Sequence, residues 1–553
     1  DVTFTSPRVL LNGTTYSGNA YIEKTGITGD DGTGGNTFNG TTTLVNSGDA
    51  YFASGNNNPD TFNGNLIVTN LGASTIRLAN NSAGNQFNGN IELNSTFGGG
   101  IWFGNGGSAS ATLAATRTIG VGGLGVISGD VRLIRFTQVG PTAQTLNLTG
   151  IATLTLGPAS SFGGDVDFRS PQLLLNGTTF DGTAYLEKNG ATDNPGTGGN
   201  TFNSTTTLVN AGSGYLLSAN NSPDIFNGNL TVTNTGSNII YLAHNVPGNE
   251  FNGDITFNST LGSGGIYISN NGPGASTLGV GGSLLVGGSG FSSGRLRIRT
   301  FTQLGADPQN LVLSGSAILE LGPGTTFNGV VDFRSPQFEL DGVTFNGTTY
   351  LEKTGAGNND SNGGNIFNGI TTIANSGSGF FRFALNVLDQ FNNDVTLTNT
   401  GSGTIRMADN IPGTVFNGNI IVNSTFGGGI YFSESGGGTA TLAAGRTISV
   451  GGSGFTTGDL RLRRFTQSGG TPQVLSLTGT ASLLLGPSLI FNGDVNLEAP
   501  QVLLHGGTYN GTASITKTGA VNNVGNGGNT FNGTTTLANS GSGYLMTGNV
   551  SPD

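Results

Sequence analysis

Cysteine is absent from this 553-residue chain. Its absence excludes a disulfide framework and thiolate metal sites, and it suits a secreted protein that must not cross-link wrongly. Charge is scarce too: 9% of residues are charged, and 20 basic against 31 acidic side chains give a net charge of −11. A surface of that sign offers the phosphate backbone little, so no nucleic-acid partner is expected. Disorder needs low hydrophobicity together with high charge, and a chain that is 34% hydrophobic does not fit. Collagen needs glycine at every third position, a period not found here. No stretch rich in Ala, Leu, Glu and Lys repeats every 3.6 residues, which argues against helix. No apolar run approaches the ~20 residues of a membrane span. The opening residues, Asp1 to Val9, do not read as a signal peptide.

Glycine, 99 residues, stands beside abundant Asn, Thr and Ser, and with them comes an internal repeat. The phrase GGNTFNGTTTLVNSG, from Gly34 to Gly48, returns with small changes from Gly198, Gly363 and Gly527. Its phenylalanines Phe38, Phe202, Phe367 and Phe531 are 164, 165 and 164 residues apart. Large units therefore run 1–164, 165–329, 330–493 and 494–553, the last one partial. Asp1 matches Asp165 in mid-unit, and Asn549 to Asp553 match Asn220 to Asp224, so the expectation is a window on a longer array. Inside a unit, aromatic-Asn/Ser-Gly turns fall at Tyr16, Phe38, Phe62 and Phe87, followed by degenerate turns near Ala115 and Thr142 and by Phe162-Gly-Gly. Seven steps of about 23 residues carry Tyr16 to Phe180, the spacing of a solenoid made of short strands.

Parity fixes which side chains face inward. After Phe62-Asn63-Gly64, Phe62, Leu66 and Val68 share one face. A second strand puts Ile76 and Leu78, or Ile101 and Phe103, inward, with Arg77 or Trp102 outward. Two or three such strands per coil, with Gly and Asn expected at positive φ in the corners, predict an all-β, right-handed parallel β-helix (a β-solenoid) with about seven coils per ~164-residue repeat. Stacked phenylalanines and asparagine amide ladders should line its length.

Three sets of side chains recur once per unit. The only lysines, Lys24, Lys188, Lys353 and Lys517, share one position. They read as a salt bridge to an adjacent coil or a solvated face, or else as an inter-chain contact or a Lys–Asn isopeptide crosslink. The neighbouring acid, Glu23, Glu187 and Glu352, becomes Thr516 in the last copy, which weakens a mechanism that needs it. An arginine row comprises Arg132 and Arg135, then Arg295, Arg297 and Arg299, then Arg461, Arg463 and Arg464. In its second copy, three guanidiniums on one strand face repel, so they want a carboxylate or planar partner. That partner is either a nearby acid, such as Asp130 or Asp459, or a neighbouring chain or acidic glycan. Outward aromatics at Trp102, Tyr267 and Tyr431 suit a repeated interface better than a single ligand pocket.

Nothing announces a reaction. Many β-helices degrade polysaccharides, but they group carboxylates and bases in one unique cleft. Here the polar residues recur in every unit, and the two histidines, His244 and His505, sit at different places in theirs. Tandem calcium-binding GGxGxD nonapeptides are missing, and no cofactor is expected. Steps of unequal length argue against a flat ice-binding threonine face.

Coils such as Phe87 to Ser95 and Phe416 to Ser424 share an FNGN-I-x-L/V-N-S/T pattern. Through it the chain resembles the very long Gly/Asn/Thr-rich repeat proteins of Gram-negative cell surfaces, above all the filament and adhesin proteins of gliding or predatory Bacteroidota. It is similar in architecture, though not in motif, to filamentous haemagglutinins. The resemblance implies export to the cell surface, a β-solenoid shaft, and a role in adhesion or surface appendages built from copies of the chain. It carries over no active-site residue. The competing expectation is a glycan-binding or polysaccharide-degrading β-helix protein.

Overall fold

The computed structural model describes residues 1–261, 264–270, 272 and 274–553. Among them there is no helix, and every pairing between strands is parallel. The chain falls into two compact units, residues 1–282 with 287–289 and residues 283–286 with 290–553. Each unit is a parallel β-solenoid with three short strands per coil. In the first unit a coil runs through Thr42–Asn46, Phe52–Ala53 and Thr61–Phe62 before Leu66–Asn70 opens the next. In the second, Thr371–Asn375, Phe381–Arg382 and Gln390–Phe391 repeat the plan.

Register is kept from coil to coil. Thr42 pairs with Leu66, and Leu66 with Ile91; Thr371 pairs with Val395, and Val395 with Ile420. Parity then does what the sequence predicts. Phe62, Leu66, Val68, Ile76, Leu78, Ile101 and Phe103 are all buried, and Arg77 and Trp102 face outward. Seven third strands separate Thr15–Tyr16 from Thr178–Phe180, counting the latter, which gives seven coils per repeat.

The predicted aromatic stack is present. Tyr16, Phe38 and Phe62 lie nearly parallel with centroids 4.7 Å apart, and Phe367 and Phe391 repeat that spacing. The rings are separated by the rise of one coil, ~4.8 Å. The stack breaks where sequence spacing degenerates. The residues in the phenylalanine position there are Leu113 and Gln138, paired with Phe87 and Phe162. Phe103 and Phe136 fill the space edge-on instead. Buried Gln138 donates from Nε2 to the Gly140 carbonyl at 2.8 Å and accepts from the Gly164 amide at 3.1 Å, bonds to the backbone that a phenylalanine ring cannot make.

One expectation about the corners needs correcting. Glycines of other corners, such as Gly34 and Gly104 at φ 80° and 76°, do take positive φ, but those of the Phe-Asn-Gly corners do not, and among the described residues neither does any asparagine. Glycine is needed because coils touch there: a Cβ on Gly64 would lie 2.3 Å from the carbonyl oxygen of Gly40. The asparagines form ladders. Asn63 donates from Nδ2 to Asn39 Oδ1 at 2.9 Å, and Asn88 to Asn63 at 2.9 Å. In the second unit Asn346, Asn368, Asn392 and Asn417 continue the same pattern.

Candidate interaction face

The four lysines are not on the surface. Lys24, Lys188, Lys353 and Lys517 all end a first strand and have no exposure. Each ammonium donates to the carbonyl two residues on, that of Gly26, Gly190, Gly355 or Gly519. The expected solvated face or inter-chain contact is thereby corrected, and no lysine ion pair occurs among the described residues. The same column of the solenoid explains the burial. Lys24 pairs with Asn46 and Asn46 with Asn70, and those asparagines likewise donate to turn carbonyls, Ala50 at 3.2 Å and Ser74 at 2.8 Å. The column caps, from inside, the turn that follows each first strand. Strand parity alone points these side chains inward, and it is the signal that would have found them. Burial pushes the Lys188 and Lys353 amines down to about 8.

The arginines and aromatics do meet, on the outward face of the second strands. Arg77 pairs with Trp102, and Trp102 with Arg132. The Arg132 guanidinium lies 4.0 Å from the indole centre, and Arg77 lies 5.1 Å from it on one side and 4.3 Å from the Tyr51 ring on the other. Trp102 is thus half-buried between two cations rather than freely exposed. Such cation–π contacts contribute roughly 0.5–2 kcal/mol each. Tyr267 packs edge-on against Tyr241 at 5.6 Å, and Arg461 covers Tyr431 at 4.2 Å.

Charge on this face is balanced internally. Arg132 is bound by Asp130, and Arg461 by Asp459 and Glu434. In the second repeat the three arginines converge on one acid. Glu320 receives Arg295, Arg297 at 2.9 Å and Arg299 at 2.9 Å, while Arg295 also reaches Glu339 at 3.0 Å. Burial opposes ionisation of Glu320, but the guanidiniums outweigh it and hold the carboxyl below its ordinary range. Arg135 and Arg464 leave the strand in the left-handed region, at φ 48° and 45°. Arg135 donates to the Gly106 carbonyl at 2.7 Å, and Arg464 to those of Ser433 and Gly438. They brace a loop and are not part of the row. Arg463 makes a longer contact with Glu434, 3.3 Å.

Two further sets escaped the sequence reading. Phe97, Leu261 and Phe426 are 60%, 61% and 61% exposed in the Gly-rich turn that leads into the second strand. They are 164 and 165 residues apart. The signal lay in the phrase NSTFGGG, where a bulky apolar residue sits among glycines that cannot bury it. The second set is interior. Asp60, Asp224 and Asp389 are buried at the same spacing, and each accepts from both the backbone and side-chain amides of one asparagine, Asn36, Asn200 or Asn365. Ser54 and Ser218 also donate to the first two, whereas Phe383 takes that place beside Asp389 and its Oδ2 has no partner.

Among the described residues no cluster of His, Asp or Glu could hold a metal ion, and no helix is long and apolar enough to cross a membrane. Comparison with known protein families, curated proteins and solved structures finds no match.

Proposed function

We propose that the chain is part of the structural shaft of an extracellular bacterial filament or adhesin, and that copies of it associate side by side. The observation that carries this reading is phase. An aromatic at Trp102, Tyr267 and Tyr431, and an exposed apolar residue at Phe97, Leu261 and Phe426, recur every seven coils while the interior repeats at every coil. A binding pocket has no use for a period that long; a lateral seam between long molecules does. The arginines are largely satisfied within the chain, so the seam falls mainly to the apolar and aromatic residues. Stiffness comes from the ladders, in which each coil is hydrogen-bonded to the one before and after it.

Sedimentation velocity over a wide concentration range tests the seam. Self-association should appear and should weaken when Phe97 and Phe426 are both changed to serine, exposed sites where the fold is indifferent to the change. A monomer at every concentration overturns lateral assembly, and turnover of a polysaccharide by the purified chain overturns the structural reading.

A further inference from the structure

The three repeats treat one corner of the second-strand face differently. In the second repeat Arg297 and Arg299 bind Glu320, a carboxylate that the chain itself supplies, and Arg295 binds both Glu320 and Glu339. Shifted by 164 residues, the arginines persist in the third repeat as Arg461 and Arg463, but both acids have become leucines, Leu484 and Leu503. Arg461 and Arg463 turn to Glu434, and Arg461 also to Asp459. Arg464 meets only carbonyls. The acids that hold Arg461 and Arg463 thus come from their own strand and the coil before it, and the coil after presents Leu484 to them instead of a carboxylate. In the first repeat Ile134 replaces the second arginine, so the combination occurs once.

Where the acids are missing, a cleft of about 350 Å³ opens between Arg461, Arg463, Leu484, Pro487, His505 and Asn526. Its counterpart in the second repeat, with Glu320 and Glu339 in place, measures about 140 Å³. The larger cleft reaches the size of small-molecule sites, upward of ~300 Å³, and its walls differ in character. Arg461 and Arg463 form a cationic end, Leu484 and Pro487 an apolar side, and Asn526 and His505 a hydrogen-bonding side. His505 Nδ1 accepts from the Asn526 amide at 3.0 Å, which leaves Nε2 to carry the ring N–H. Burial, and then the nearby Arg463, keep this imidazole below its ordinary pKa and so neutral at pH 7.

We propose that this cleft binds a uronic-acid residue of an acidic polysaccharide, its carboxylate meeting Arg461 and Arg463 as Glu320 meets Arg297 and Arg299. The second repeat carries an intramolecular copy of the ionic half of that contact. The remaining walls suit a sugar ring better than the few atoms of an acidic side chain: Leu484 and Pro487 offer a surface for its C–H face, and Asn526 and His505 groups for its hydroxyls.

Calorimetric titration of the whole chain with a galacturonic acid trisaccharide tests the assignment. Saturable binding is expected, weakened roughly tenfold or more when the trisaccharide is methyl-esterified. Leu484→Glu should abolish binding by installing the acid that the second repeat carries at this position. Circular dichroism and the melting curve show whether that variant is folded, and Arg463→Gln, expected to weaken binding to a similar degree, serves if it is not. Equal affinity for the ester, undiminished binding by folded Leu484→Glu, tighter binding of a glutamate-rich peptide, or no heat at millimolar sugar would each overturn it. Self-association of the chain should not respond to Leu484→Glu, so the cleft and the lateral seam stand or fall separately.

Discussion

A carboxyl sealed inside each repeat makes the smallest-scale prediction. Burial, only partly offset by the hydrogen bonds, raises Asp224 to about 6 and Asp389, which lacks the serine, to about 7. A folded-state pKa above the unfolded value means that the folded chain holds the proton more tightly. These groups therefore stabilise the fold below about pH 4, and that contribution is lost as pH rises through 6 and 7. Asp389→Asn keeps the shape without the charge, so it should raise the melting temperature at pH 7.5 and flatten its dependence between pH 4 and 7. An unchanged slope would show that Asp389 titrates normally. The lysines work in the opposite direction. An amine lowered to about 8 costs stability at and below that pH, and the cost fades as pH climbs toward 10, where unfolded lysine also loses its proton. Lys353→Met should remove part of the rise in melting temperature between pH 8 and 10, though it also leaves the Gly355 carbonyl uncapped.

Among the elements, the third-strand aromatics are the most sensitive to truncation. Phe202 lies between Phe180 at 5.0 Å and Phe226 at 4.6 Å, with 1% exposure. Phe202→Ala should cost about 3–5 kcal/mol in urea denaturation, against about 0.5 kcal/mol or less for Phe97→Ala on the surface. The strands were legible in the sequence because alternation has period two and leaves no freedom once a core exists; Ile76, Leu78 and Arg77 could be oriented from parity alone. The Phe-Asn-Gly corner was legible as a corner, but its cause was not. The Gly64 constraint comes from Gly40, a coil away, and one coil's sequence carries no record of what touches it from the next. The lysines were misplaced because a charged residue suggests solvent, whereas the column at the end of the first strand supplies a carbonyl that binds an ammonium. The arginine row was legible as a charge problem, and the answer, Glu320, lay one coil away in sequence and directly adjacent in register.

For the whole molecule, the repeat length implies interchangeable pieces. Asp165 and Val330 occupy equivalent positions, so deleting residues 165–329 joins Gly164 to a strand that fits the same register. Such a chain should retain its strand circular dichroism and melt within a few degrees of the parent, since stability adds by neighbouring coils. Loss of the cooperative transition would show that the repeats are not equivalent. The asparagine ladders carry a different consequence. Backbone dipoles in a sheet largely cancel, but every ladder amide donates to the coil before it, Asn63 to Asn39 and Asn88 to Asn63. Each corner ladder thereby has an electrical head and tail that the backbone lacks, although the inner asparagine column, Asn70 to the Gly100 carbonyl for one, donates toward the coil after. Two stacks lying alongside each other with the same orientation repel through these rows, and reversed neighbours attract. A bundle whose members all point away from a cell must overcome that preference with its other contacts.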